Sequence, residues 1–174
     1  VHINPYGEDA VLLAIDLLRD PPATAAELEA RCRAVELMIE QPVTDGDLHA
    51  TREFLTSWLE VVDATDFETR ADRLNRLLAG SSAHPRLTNH AEDGWHVHYR
   101  GANLPLAWLL RTLISVGTAL HLAGRGMHRL GRCAEPGCDA PFADVSRTGR
   151  QRYCSTTCAN RDAVRRHRAR ATAA

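Results

Sequence analysis

The sequence predicts a mainly α-helical chain: an α-rich body with one β-hairpin over residues 1–130, then a small separate module over residues 131–174. Three features predict it. Apolar residues recur every three to four positions through most of the first 125 residues, the period of helices with one buried face. Near residue 95 the period changes to strict alternation, the signature of a strand. Four of the five cysteines crowd between positions 133 and 158. With 174 residues, 44% hydrophobic and 25% charged, the chain has the composition of an ordinary globular protein with material for one full domain and an appendage.

The elements follow in order. Residues 1–8 alternate and turn at Pro5-Tyr6-Gly7, a short extended lead-in. Val11, Leu12, Ile15 and Leu18 have helical spacing from Asp9 to about Arg19, and Asp20-Pro21-Pro22 stops that helix. Thr24 with Glu27 forms a capping box opening a second helix, which presents Leu28, Val35, Leu37, Met38 and Ile39 before Pro42. Thr44 with Asp47 opens a third, carrying Leu48, Phe54, Leu55, Trp58, Leu59 and Val62. A fourth starts near Asp66, shows Phe67, Leu74, Leu77 and Leu78, and ends at Gly80. Pro85–His90 and Trp95–Arg100 flank the turn Ala91–Gly94 as a hairpin, with Trp95, Val97 and Tyr99 on one face and His96, His98 and Arg100 on the other. Leu104 to Leu122 is a strong helix with the stripe Leu106, Leu109/Leu110, Leu113, Val116/Gly117 and Leu120. Gly124, Gly126 and Gly131 are expected to form a flexible joint. Core packing accounts for the apolar stripes, with Trp58 and Trp108 as core anchors.

No apolar run reaches the roughly 18 residues needed to span a bilayer without interruption by charge. No basic-then-apolar leader opens the chain, which starts at Val1; the expectation is a trimmed start, a cytoplasmic location and no membrane partner. Charge is divided unevenly. Residues 1–130 carry 12 Arg against 18 acids, and residues 131–174 carry 9 Arg against 4, so an acidic body bears a basic tail. All 21 basic residues are Arg, the side chain suited to forked phosphate contacts.

The strongest signal is Cys133-x4-Cys138 followed by Cys154-x3-Cys158. Two closely spaced cysteine pairs supply four soft ligands to a tetrahedral ion with little loop-closure cost. Glu135-Pro136-Gly137 makes a tight knuckle between the first two. The i, i+4 spacing puts the second two on one helical face, with Ser155 able to cap that helix. Knuckle, a hairpin through Phe142 to Tyr153, and helix describe a treble-clef-like finger holding one structural Zn²⁺ with no open coordination position. The competing reading, two disulfides, is disfavoured in a reducing compartment. Beyond Cys158 the helix carries Arg161, Arg165 and Arg168 within about 60° of each other, with Arg166 and Arg170 on a different flank. Arg147, Arg150 and Arg152 precede Cys154. Together with Asn160 they form a candidate nucleic-acid surface; the alternative is a solvated helix kept soluble by its charge, with Asn160 bonded to the knuckle.

Arg132-Cys133-Ala134 through Pro136-x-Cys138, Phe142-x-Asp144-x-Ser146-Arg147, Arg152-Tyr153-Cys154-Ser155 and Cys158-Ala159-Asn160-Arg161 with a basic helix behind them resemble the CGNR-type zinc finger, Ala159 standing where the signature has glycine. The body, with its Leu13–Leu18 run, the Trp95–Tyr99 strand and the long Leu/Ala helix, resembles the ABATE domain commonly fused in front of that finger. The resemblance implies a stress-responsive bacterial transcription regulator, with zinc on the four cysteines and nucleic acid on Asn160 and Arg161.

No P-loop, G-x-S-x-G, H-E-x-x-H or dinucleotide fingerprint occurs. His90, His96 and His98 are open to two readings, a metal trio or the wet face of a hairpin. No acid–base couple stands out among Glu8, Asp9, Asp16 and Asp20. The expectation is therefore not an enzyme but a zinc-dependent nucleic-acid-binding protein. DNA is its first-choice partner, with RNA or ribosome association, or an adaptor whose zinc is purely structural, as alternatives. The body is expected to sense a small-molecule effector or to mediate homodimerisation. A chain lacking residues 132–174 is expected to lose DNA binding and keep a folded body.

Overall fold

The computed structural model describes residues 7–89 and 95–172. Among them are six helices, α1 (Glu8–Arg19), α2 (Ala25–Ala34), α3 (Asp45–Val62), α4 (Phe67–Ser81), α5 (Leu106–Arg125) and α6 (Thr156–Thr172). Two antiparallel hairpins pair β1 (Arg86–Thr88) with β2 (His96–His98) and β3 (Leu130–Arg132) with β4 (Pro141–Ala143). The mainly α prediction holds. The expected lead-in over residues 1–6, the turn 91–94 and His90 lie outside the described residues.

Helix α5 is the hub, with α1, α3 and α4 packed around it. It is buried on nearly every side, from Leu106 and Leu110 through Ile114 to Leu122, so its interior face is far wider than the predicted stripe. By length and mean hydropathy (1.4) α5 is long and apolar enough to cross a membrane, although Arg111 interrupts its apolar run; 72% of that window is buried within the fold. On α1 the buried set is Ala10, Val11, Leu13, Ala14, Ile15 and Leu17, and Leu12 faces outward, because α1 lies close against Gly117 of α5.

Local chemistry sets the helix ends. Thr44 and Asp47 form the expected capping box on α3. Asp47 Oδ1 also accepts from the Ala107 amide at 3.0 Å, so one carboxylate fastens the starts of α3 and α5 together. On α2, Thr24 accepts from the Glu27 amide at 3.2 Å, but Glu27 reaches back to the Ala23 amide, one residue outside the box. The second helix ends at Ala34, well short of the expected Pro42. Glu36 adopts φ +58°, Leu37 N–H donates to Cys32 O and Glu36 N–H to Arg33 O, a Schellman ending with glutamate where glycine is usual. Val35 and Met38 consequently stand exposed, while Leu37 folds back into the core. Asp66 caps α4 as expected, and α4 runs through Gly80 to Ser81.

The first hairpin pairs Leu87 with Val97, and its apolar side is not core: Leu87, Trp95 and Val97 are all exposed. Trp58 is a core anchor, its indole N–H donating to Thr118 Oγ1 at 2.9 Å, but Trp108 is 45% exposed.

The glycine-containing stretch after α5 is folded rather than free. Gly126 closes α5 at φ +115° and Gly131 lies within β3. Leu130 and Ala143 belong to the main core, and β4 packs on α1. Buried Arg70 donates to the carbonyls of Val61, Val62, Ala64 and Met127, tying the end of α3 to this joint. Arg132 forks onto both oxygens of Asp63, at 2.7 and 2.9 Å. Removing residues 132–174 would strip β4 from α1, so that truncation is not a clean test of the finger alone.

Candidate metal centre

Cys133 and Cys138 bracket the turn that joins β3 to β4. Cys133 N–H donates to Ala140 O, Cys138 N–H donates to Glu135 O at 2.9 Å, and Gly137 takes φ +87°, a conformation that glycine adopts without Cβ strain. The paired strands therefore flank the knuckle, where the expected hairpin ran from Phe142 to Tyr153. Cys154 stands just before α6 and Cys158 in its first turn. Ser155 Oγ accepts from the Cys158 amide at 3.2 Å, the expected cap. The Ala134 amide donates to Arg152 O and the Cys154 amide to Cys133 Sγ, drawing the two halves together.

All four sulfurs lie within 4.8 Å of one another. Cys154 Sγ is 3.7 Å from both Cys138 Sγ and Cys158 Sγ. Four thiolates at the Zn–S distance of about 2.3 Å stand about 3.8 Å apart at the corners of a tetrahedron, so the donor set and its spacing fit zinc. A disulfide would need about 2.05 Å, and all four cysteines are free. Burial pushes the Cys154 thiol up to about 12, while the hydrogen bond with Ser155 draws Cys158 down. Sulfurs crowded this closely resist joint ionisation until a dication neutralises them. Cys133, Cys138, Cys154 and Cys158 hold one structural Zn²⁺, and with every tetrahedral position taken by protein the ion's contribution is to fix shape.

Three side chains given no role from the sequence organise the surroundings. Asp144 is buried; Oδ1 accepts from the Ser146 amide and hydroxyl, and Oδ2 from the Gln151 amide at 2.9 Å. Burial works to raise its pKa, but these bonds and Arg129 outweigh it and hold the carboxyl below the ordinary range. Arg129 donates to the carbonyls of Arg125, Asp144 and Ser146, linking the end of α5 to the arginine loop. Asp162, buried on α6, accepts from Tyr153 Oη at 2.5 Å and pairs with Arg165 and Arg166. The acid three and four residues before two arginines was the available signal for that last group.

The candidate nucleic-acid residues divide accordingly. Arg165 is held by Asp162 and Glu135, and Arg166 by Asp162 at 2.8 Å. Arg170 Nε donates to Arg166 O, and Arg168 has a partner of its own. Arg147, Arg150, Arg152 and Arg161 are exposed, and among the described residues their side chains have no partner. Asn160 is exposed and makes no side-chain bond to the knuckle among those residues. Of the histidine trio, His98 is half-buried opposite Arg86, and the four cysteines are the one metal-competent cluster among the described residues.

No curated protein matches the chain. A family model described as the CGNR zinc finger matches residues 129–171, from the buried Arg129 through β3, β4 and nearly all of α6. Residues 129–171 are thus similar to the CGNR zinc finger, and their four cysteines are positioned together for metal binding.

Proposed function

We propose that the finger binds nucleic acid, duplex DNA before other polyanions, and that the chain acts as a transcription regulator rather than as an enzyme. The observation that carries this is the set of four exposed guanidinium groups, Arg147, Arg150, Arg152 and Arg161, without partners among the described residues in a segment where neighbouring arginines are paired. They stand on a loop braced by Asp144 and on the first turns of a helix pinned to the metal centre, so their charge is presented on a rigid support. Single-stranded RNA fits less well. Phe142 is buried, and Tyr153 is half-buried with its hydroxyl engaged by Asp162, which removes the finger's two aromatics from base stacking. One finger covers few base pairs, so two copies of the chain on a two-part site are part of the proposal, with the body supplying dimerisation or effector sensing.

The test is a salt titration of duplex binding by the full-length, zinc-loaded chain. Substituting Arg147, Arg150, Arg152 or Arg161 by Gln should each reduce the slope of log K against log salt by about 0.9, one phosphate contact apiece. Arg165→Gln and Arg166→Gln should change it less, since those charges are already paired. A chain carrying all four substitutions that still binds duplex with unaltered affinity and slope would refute the assignment. Preference for structured RNA in direct competition would move it to the RNA class.

A further inference from the structure

Arginines of this body that are not fully exposed usually have acceptors. Arg31 has Asp16 and Asp20, Arg70 has four carbonyls, Arg100 has Glu40, Arg125 has Glu8, and Arg129 has Asp144. Arg111 on α5 is different. Its guanidinium sits against two aromatic rings, 5.0 Å from the centroid of Trp108 and 5.8 Å from that of Phe54. Its Nε is buried with no hydrogen-bond partner, and among the described residues no carboxylate or carbonyl engages the group. Phe54 is buried beneath it, whereas Trp108 leaves nearly half of its surface open.

A cleft of about 250 Å³ opens at this point between the first turns of α3 and α5, lined by Thr44, Asp47, Pro105, Trp108 and Arg111. Asp47 does not neutralise Arg111. Its Oδ1 is taken by the Ala107 amide and its Oδ2 by the Thr44 amide and hydroxyl, so it is a fixed negative charge in the wall with its acceptor positions spent on holding two helices. The cleft therefore offers a cationic fork with donors to spare, a partly exposed indole, and one anionic wall.

We propose that this cleft binds a small planar monocarboxylate, with the carboxylate against the Arg111 guanidinium and the flat body of the ligand on Trp108. The forked donors match a carboxylate. The exposed indole supplies an apolar stacking surface. The anionic wall disfavours a second negative charge, which selects a monocarboxylate over a phosphate dianion. The volume lies just under the range of drug-sized sites, so the ligand has on the order of ten non-hydrogen atoms. This names the ligand class for the sensing role proposed for the body, and it is tested without nucleic acid, so either proposal can fail while the other stands.

Benzoate is the probe, titrated into the full-length, zinc-loaded chain while the Trp108 indole N–H resonance, assigned with Trp108→Phe, is followed by NMR. Saturable binding is expected with Kd of about 1 mM or tighter at low salt. Benzamide, the neutral isostere, should bind about tenfold more weakly to the same unaltered protein, a comparison that needs no folded variant. Arg111→Gln should weaken benzoate by about tenfold or more, with Arg111→Lys in between. Inorganic phosphate should not compete. Absence of saturable benzoate binding at ten times the expected Kd, equal affinity for benzamide, undiminished binding by a folded Arg111→Gln chain, or effective competition by phosphate would each overturn the proposal.

Discussion

His121 is wholly enclosed between α1, α5 and the start of the finger. Its Nε2 lies 3.5 Å from the Arg129 carbonyl oxygen, and its Nδ1 has no partner among the described residues. Burial depresses its pKa below the ordinary histidine value, the guanidinium groups of Arg125 and Arg129 act in the same direction, and the Arg129 carbonyl and Glu8 oppose them. With the folded-state pKa lowered, the unfolded chain takes up the proton first. The stability this neutral imidazole contributes is complete above about pH 6.5 and is lost as pH falls below it. Denaturant unfolding at a series of pH values should show that loss. His121→Gln should lower stability at pH 7.5 yet flatten the profile toward pH 5.5, with the acid-sensitive zinc site common to both proteins. A variant profile parallel to the parent would assign the acid sensitivity elsewhere. Nothing in the sequence marks His121 apart from His128 seven positions on, because burial is a property of the packed structure.

Helix α1 meets α5 where Gly117 leaves room for it. A Cβ on Gly117 would stand 2.6 Å from Ala10 Cβ and 3.1 Å from Gly7 O, neither of which can yield without moving the helix. Gly117→Ala is therefore expected to destabilise the fold by about 1–3 kcal/mol despite the higher helix propensity of alanine. The midpoint of urea unfolding should shift with little change in slope, and an unchanged midpoint would mean that α1 adjusts freely. Helix spacing was legible here from periodicity, and the starts of α3 and α4 from their Thr–Asp and Asp signals. The end of α2 was not, since Glu36 holds a left-handed conformation that a reader expects only of glycine or asparagine. The exposed faces of Trp95 and Trp108 were not legible either, because alternation and period report which residues share a face and not which face is covered.

Across the whole molecule the finger and the body share one interior. Leu130 and Ala143 lie in the same core as Trp58 and Leu110, Arg70 and Arg129 bind carbonyls on both sides of the joint, and Arg132 pairs with Asp63. The Arg132–Asp63 pair is partly exposed and contributes at most about 1 kcal/mol, so the apolar contact and the buried guanidinium groups are the stronger ties. Structural zinc in small sites is worth on the order of 10 kcal/mol to the folded module that holds it. Chelating the metal is therefore expected to unfold the finger and also to weaken the body, seen as faster amide exchange in α1. If exchange in α1 is indifferent to the metal, the two parts fold independently.

The cysteine spacing alone specified the ligand set, because four thiolates in two short-range pairs meet with little chain to close. Local spacing likewise determined most helices and the basic character of the tail. Asp162 stands three and four residues before Arg165 and Arg166, so that pairing was within local reach, whereas Glu135 on Arg165, the aromatic rings that face water and the fastening of the finger to α1 were decided only by the tertiary structure. Those depend on groups brought together across tens of residues, and no local pattern encodes a partner that arrives from elsewhere in the chain.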